Sequence, residues 1–153
     1  MVGSLDDAMI SQRVNIYRRD SVYLLCPSSK TTAGVWLEHE PGFGPSVGAP
    51  HGILGHTLLM ALSLSGPTVS HPTDWKTHRL PLLAFTGAKS WRGFYSADIS
   101  LVSVVLQDVK FQIEPWRNDG KGFEGLDGLL IELLASAAPD ELGHAVVSSF
   151  QAT

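Results

Sequence analysis

The segment ISLVSVVLQDVKFQIEP, residues 99–115, constrains the chain more than any other. Val109, Phe111 and Ile113 alternate with Lys110, Gln112 and Glu114, the period of two that puts successive side chains on opposite faces of a strand. Before them runs a β-branched stretch from Leu101 to Val105, and the polar pair Gln107 and Asp108 between the two runs predicts a hairpin. An isolated two-stranded hairpin is marginally stable in water. The chain must therefore supply further strands beside this one and an apolar layer over its buried face.

Further strands can be read upstream. VNIYRRDSVYLLC, residues 14–26, divides around Arg19 and Asp20 into β-branched and aromatic runs near 14–18 and 21–26, and AGVWLEH continues as a third strand. In that strand Val35 and Leu37 share one face, Trp36 and Glu38 the other. LDGLLIELLA, residues 126–135, fits a helix through Leu126, Leu130, Leu133 and Leu134, but its shortness and Gly128 favour a buried strand, the reading adopted here.

The covering layer comes from helices. EPGFGPSVGAPHG sets Pro41, Pro45 and Pro50 among four glycines, a loop that sustains neither helix nor ladder. It feeds a helix at about 52–65, apolar nearly all round apart from His56 and Ser63 and so expected to be largely buried, which Gly66 and Pro67 end. PTVSHPTDWKTH is a second loop, followed by short helical pieces in LPLLAFTG and KSWRGFYSA. A final helix opens at Pro139, with Asp140 and Glu141 where the helix dipole favours acids, and runs to about Phe150. The expected fold is α+β: a single domain, residues 13–153, whose mainly antiparallel, hairpin-rich sheet packs against a few α-helices, after a loose lead-in over 1–12.

Two near-copies, LGHTLLMAL at 54–62 and LGHAVVSSF at 142–150, raise the question of a shared histidine site. On a helical wheel Leu142, Val146, Ala145 and Phe150 cluster, while His144 falls about 200° from Leu142. His56 likewise points away from Leu54, Leu58 and Leu62. Neither histidine faces the core, so no metal ligand pair is expected there, and the glycines are read as letting each helix approach the sheet.

Two other motifs fall short of a catalytic signature. His71, Asp74 and His78 in SHPTDWKTH combine groups that could serve a small hydrolase or nuclease, but lack the tight helical spacing of a motif such as HExxH. GFGPSVG lacks the GK[ST] ending of a phosphate loop, and Pro41, Pro45 and Pro50 reduce the available backbone donors. No catalytic residue, metal or other cofactor is assigned.

Composition narrows the remaining classes. With 44% hydrophobic and 17% charged residues among 153, the chain can bury a core and is not a solvated tail. Its net charge of −4 disfavours nucleic acid as a partner. Acids outnumber Arg117 and Lys121 from Glu114 onward, whereas Lys76, Arg79, Lys89 and Arg92 dominate residues 71–92, so two differently charged surfaces are expected. The lone Cys26, inside VYLLC, excludes an internal disulfide and reads as an inert core thiol. The amino terminus lacks a basic secretory n-region, and the longest apolar stretch falls short of the ~20 residues of a membrane span. A cytoplasmic protein without membrane or small-molecule partners is expected.

Taken in order, the amino-terminal hairpin, PTDWK, GAKSW with Phe94, a hairpin ending in EP, GFEGL, and PDELGHAV with Phe150 resemble the immunity proteins of bacterial contact-dependent growth inhibition systems, over about Arg13 to Phe150. The resemblance implies a non-enzymatic cytosolic protein that tightly binds the toxic carboxy-terminal domain of a large exported effector. Such toxins are often nucleases, whose basic clefts an acidic protein can cover. On that footing Glu38, Glu40, Asp119, Glu124 and Asp127 are the candidate partner-binding carboxylates, with Trp36 or Trp116 as apolar anchor. Trp75, Lys89, Ser90 and Trp91 are read as structural marks of the family. A general protein-interaction domain without a toxin is a further alternative.

Overall fold

The computed structural model describes residues 11–19, 21–39, 42–66, 70, 73, 99–119, 122–126 and 128–153. Along them run β1 (Ser11–Arg19), β2 (Val22–Lys30), β3 (Trp36–Glu38), α1 (His51–Ser63), β4 (Ser100–Gln107), β5 (Lys110–Asn118), β6 (Phe123–Gly125), β7 (Ile131–Leu134) and α2 (Pro139–Gln151). The helical pieces expected within 80–97 lie outside the described residues.

The strands form one antiparallel sheet in the order β3-β2-β1-β4-β5-β6, with β7 also paired to β5. Both expected hairpins are present: Arg19 pairs with Val22, and Gln107 with Lys110. β1 begins at Ser11, two residues inside the stretch read as lead-in. Asp108 turns the second hairpin at φ 56°, a left-handed conformation that aspartate tolerates better than most residues. The turn corrects the alternation: Val109 is 64% exposed at the tip, not part of the buried face, which begins at Phe111. The ambiguous leucine segment forms strand β7, four residues long, with Leu133 opposite Phe111 and Ile131 opposite Ile113, but not the buried strand expected: no residue of it is fully buried, and Leu134 is 62% exposed because β7 lies at the sheet edge.

Register decides which side chains meet the helices. Val14 and Ile16 on β1, Tyr23 and Leu25 on β2, Val102 and Val104 on β4, and Phe111 and Ile113 on β5 share one face. They are buried with Leu54, Leu58, Ala61 and Leu62 of α1 and Leu142, Ala145, Val146 and Phe150 of α2. The Tyr23 and Phe150 rings meet with centroids 5.3 Å apart. The inward faces of both helices are those of the wheels. The expectation that α1 is largely buried fails: Ile53 and Met60 are 50% and 53% exposed, because the helix rests on the sheet and on α2 along only part of its circumference.

The two helices cross at their glycines. A Cβ on Gly143 would lie 1.9 Å from the His51 carbonyl oxygen, and one on Gly55 would lie 1.9 Å from that of Pro139. These glycines bring helix to helix rather than helix to sheet, a correction of the sequence reading. The loop before α1 also does more than connect. Phe43 and Leu25 exchange backbone hydrogen bonds of 3.0 and 2.8 Å, and Ser46 bridges to Val22, so isolated pairings cover the outer edge of β2.

Ser65, just beyond α1, locks the helix to the sheet. Its hydroxyl accepts from the Arg13 amide at 2.7 Å and donates to the Ser28 carbonyl, bridging β1 and β2 at their paired positions. Ser29 adds a second tie, accepting from the Gly66 amide at 3.2 Å.

Candidate functional site

The face of the sheet opposite α1 and α2 carries the remaining chemistry. At one end Tyr17, Leu24, Cys26, Ile99 and Leu101 form a small buried cluster, with Trp116 and Phe123 packed against it. Beyond it the face turns polar. Cross-strand neighbours place Asn15 beside Ser103, Ser103 beside Glu114, and Arg13 beside Ser28, which pairs in turn with Glu38. Alternation produces this: in SQRVNIYRR every residue between two core positions must point to the other face.

Trp36 and Trp116 stand at diagonally opposite corners of the polar stripe, four strands apart across the sheet and also offset along the strands, Trp36 level with Lys30 and the Gln107–Lys110 end and Trp116 level with Leu101. Trp116 is held in place, its Nε1 donating to Ser103 Oγ at 2.8 Å. Trp36 is flanked by two cations, with Arg13 Cζ 4.8 Å and Lys30 Nζ 5.7 Å from its ring centroid. Both tryptophans are half-buried.

Electrostatics on this face are set mainly by burial. Desolvation lowers the Arg13 guanidinium pKa, opposed by the negative charge of Glu114, and Arg13 Nε is buried without a hydrogen-bond partner. Burial likewise pushes the Cys26 thiol well above its ordinary value, with the Glu38 charge acting in the same direction. The thiol is fully buried, in keeping with the core reading. Glu38 accepts from Asn15 Nδ2 at 3.3 Å.

Of the sequence-derived candidates, this face brings together Trp36, Glu38 and Trp116. Asp119 is engaged in a turn, where its Oδ1 accepts from the Gly122 amide at 2.9 Å. Glu124 is exposed but alternates with Phe123 and Gly125, so it points to the helix side of the sheet edge. Asp119 and Glu124 therefore do not line one surface with Glu38, whereas Glu132, paired with Gln112 on β5, lies on the face that carries Glu38 and Glu114. Glu40 and Asp127 lie outside the described residues, as do His71, Asp74, His78, Trp75, Lys89, Ser90 and Trp91. Arg13, Asn15, Ser103 and Glu114 were missed, although carrying the period of two through β1 and β4 would have placed the first three beside Glu114. Among the described residues no three histidine, cysteine or acidic side chains form a metal-binding group.

The same architecture occurs in solved structures of two other proteins. A chain of the CdiA-CT/CdiI toxin and immunity complex from Yersinia pseudotuberculosis superposes with a TM-score of 0.70 at 15% identity, covering 92% of this chain and 96% of that one. A Neisseria meningitidis protein of unknown function, NMB0488, superposes with a TM-score of 0.71, also at 15% identity, over 93% of this chain and 94% of its own. At that identity the likeness is one of fold. No protein-family model matches the sequence. No curated protein matches it either. Among the described residues no helix is long and apolar enough to cross a membrane.

Proposed function

We propose that the chain is an immunity protein that binds and neutralises the carboxy-terminal toxin domain of a contact-dependent growth inhibition effector in the cytoplasm. The observation that carries this reading is the shared fold, nearly end to end, with a chain of a toxin and immunity complex. It agrees with the resemblance seen in the order of the sequence motifs. The protein acts by occupying a surface of its partner, not by turnover.

The sheet face opposite the helices supports a protein partner. Half-buried tryptophans are side chains that anchor interfaces at low entropic cost, and Trp36 and Trp116 present two such anchors around a polar stripe. The net charge of −4 favours a basic partner, and hence a nuclease as the toxin class. Glu38 is the candidate carboxylate that shares a face with both indoles.

The test is co-expression with the product of the adjacent upstream reading frame. A 1:1 complex of nanomolar or tighter affinity, together with protection of cells from that product, is the expected result. A protein that captures no such partner and shows metal-dependent hydrolysis lost in His71→Ala would overturn the reading.

A further inference from the structure

The repeated LGH motif sends His144 to a partner that its repeat does not contain. Gly143 is seated against the carbonyl of His51, the first residue of α1, so the next residue of α2 is delivered beside the His51 side chain. The two imidazoles lie with centroids 5.1 Å apart and planes tilted by 53°, and both residues are exposed. The carboxylate of Asp140, one turn before His144, lies against Gly52, the residue after His51. His56 is exposed as well, but the ring beside His144 is that of His51.

From this geometry we infer that His51 and His144 form a two-histidine clasp for a borderline divalent transition metal such as Zn²⁺, bridging the start of α1 and the second turn of α2. Two imidazoles bound to one tetrahedral ion at Zn–N distances of about 2.0–2.1 Å hold their ring centroids about 5 Å apart. The helix backbones meet through the glycines without intervening side chains, so the histidines are presented by a fixed crossing rather than by mobile loops. Nitrogen ligands select Zn²⁺, Ni²⁺ or Cu²⁺ over Mg²⁺ and Ca²⁺, which require oxygen. Water fills the remaining coordination positions, in keeping with the lack of a third close protein ligand among the described residues.

The experiment is calorimetric titration of the tag-free full chain with Zn²⁺, and with Mg²⁺ for comparison, using His51→Ala, His144→Ala and His56→Ala. Circular dichroism verifies the fold of each variant, and His51→Gln and His144→Gln replace any alanine variant that fails to fold. The expected result is one saturable Zn²⁺ site and none for Mg²⁺. Zn²⁺ binding should weaken at least tenfold in either His51 or His144 variants, no further in the double variant, and remain unchanged in His56→Ala. Absence of saturable Zn²⁺ binding, indifference to either the His51 or the His144 substitution, or an equal loss in His56→Ala would overturn it.

Discussion

Replacing Gly143 by alanine tests the helix crossing directly. A new Cβ would sit 1.9 Å from the His51 carbonyl oxygen, whereas ordinary contact begins at 3.4 Å, so the helices must part by about 1.5 Å locally. The obstacle is backbone and cannot be relieved by a rotamer change. Separation also pulls Leu142, Val146 and Phe150 from the core they share with Leu54, Leu58 and Leu62. Overpacking of this kind costs about 1–3 kcal/mol, and an immovable neighbour places it near ~3 kcal/mol. Alanine returns about 1 kcal/mol through its higher helix propensity. The net loss is about 2 kcal/mol, which lowers Tm by about 4–8 °C in a chain of this size. Urea unfolding followed by circular dichroism at 222 nm, with the slope unchanged, measures the loss. Gly122→Ala is the control, since a Cβ there meets nothing within 4 Å. If Gly143→Ala proves neutral or stabilising by about 1 kcal/mol, as for a helix glycine in open space, the crossing is not as described.

Other consequences are independent of it. Ser65→Ala leaves the Arg13 amide and Ser28 carbonyl without their bridge, at a site where Ser28 and Ser65 are both buried; the expected cost is about 1–3 kcal/mol, read by chemical denaturation. Asp108→Val forces a β-branched residue to the φ of 56° and should destabilise the β4–β5 hairpin by about 1–2 kcal/mol, whereas Asp108→Gly should be neutral or mildly stabilising. Cys26 holds its proton more strongly in the folded state, so unfolding releases one once the pH exceeds about 8.5, the ordinary thiol value. Its contribution to stability therefore declines as pH rises above that value, and iodoacetamide at pH 8–9 should label Cys26 only after denaturation.

Alternation made the hairpins legible because a strand records its two environments residue by residue. It failed at Val109, where the turn conformation of Asp108 takes the next residue out of the ladder. The wheels correctly separated Leu142 and Val146 from His144, since helix geometry fixes which side chains share a face. They could not say what occupies the opposite side, so the exposure of Ile53 and Met60 and the pairing of His144 with His51 were both hidden. For the candidate site, Trp36 and Trp116 were found by residue type, but the acids were grouped by closeness in sequence. Pleating separates Glu124 from Glu38, and a turn engages Asp119.

The sequence alone determined the β1–β2 and β4–β5 hairpins, the two long helices with their inward faces, and the need for an antiparallel sheet under an apolar layer, because backbone periodicity couples each side chain to its near neighbours. Only the tertiary structure decided which surfaces meet: Gly55 and Gly143 against a helix rather than the sheet, Ser65 between β1 and β2, and Trp36, Glu38 and Trp116 on one face. Those juxtapositions join residues tens of positions apart. They depend on strand order and helix crossing, which side-chain volume and hydrogen bonding settle across the whole fold and no local pattern encodes.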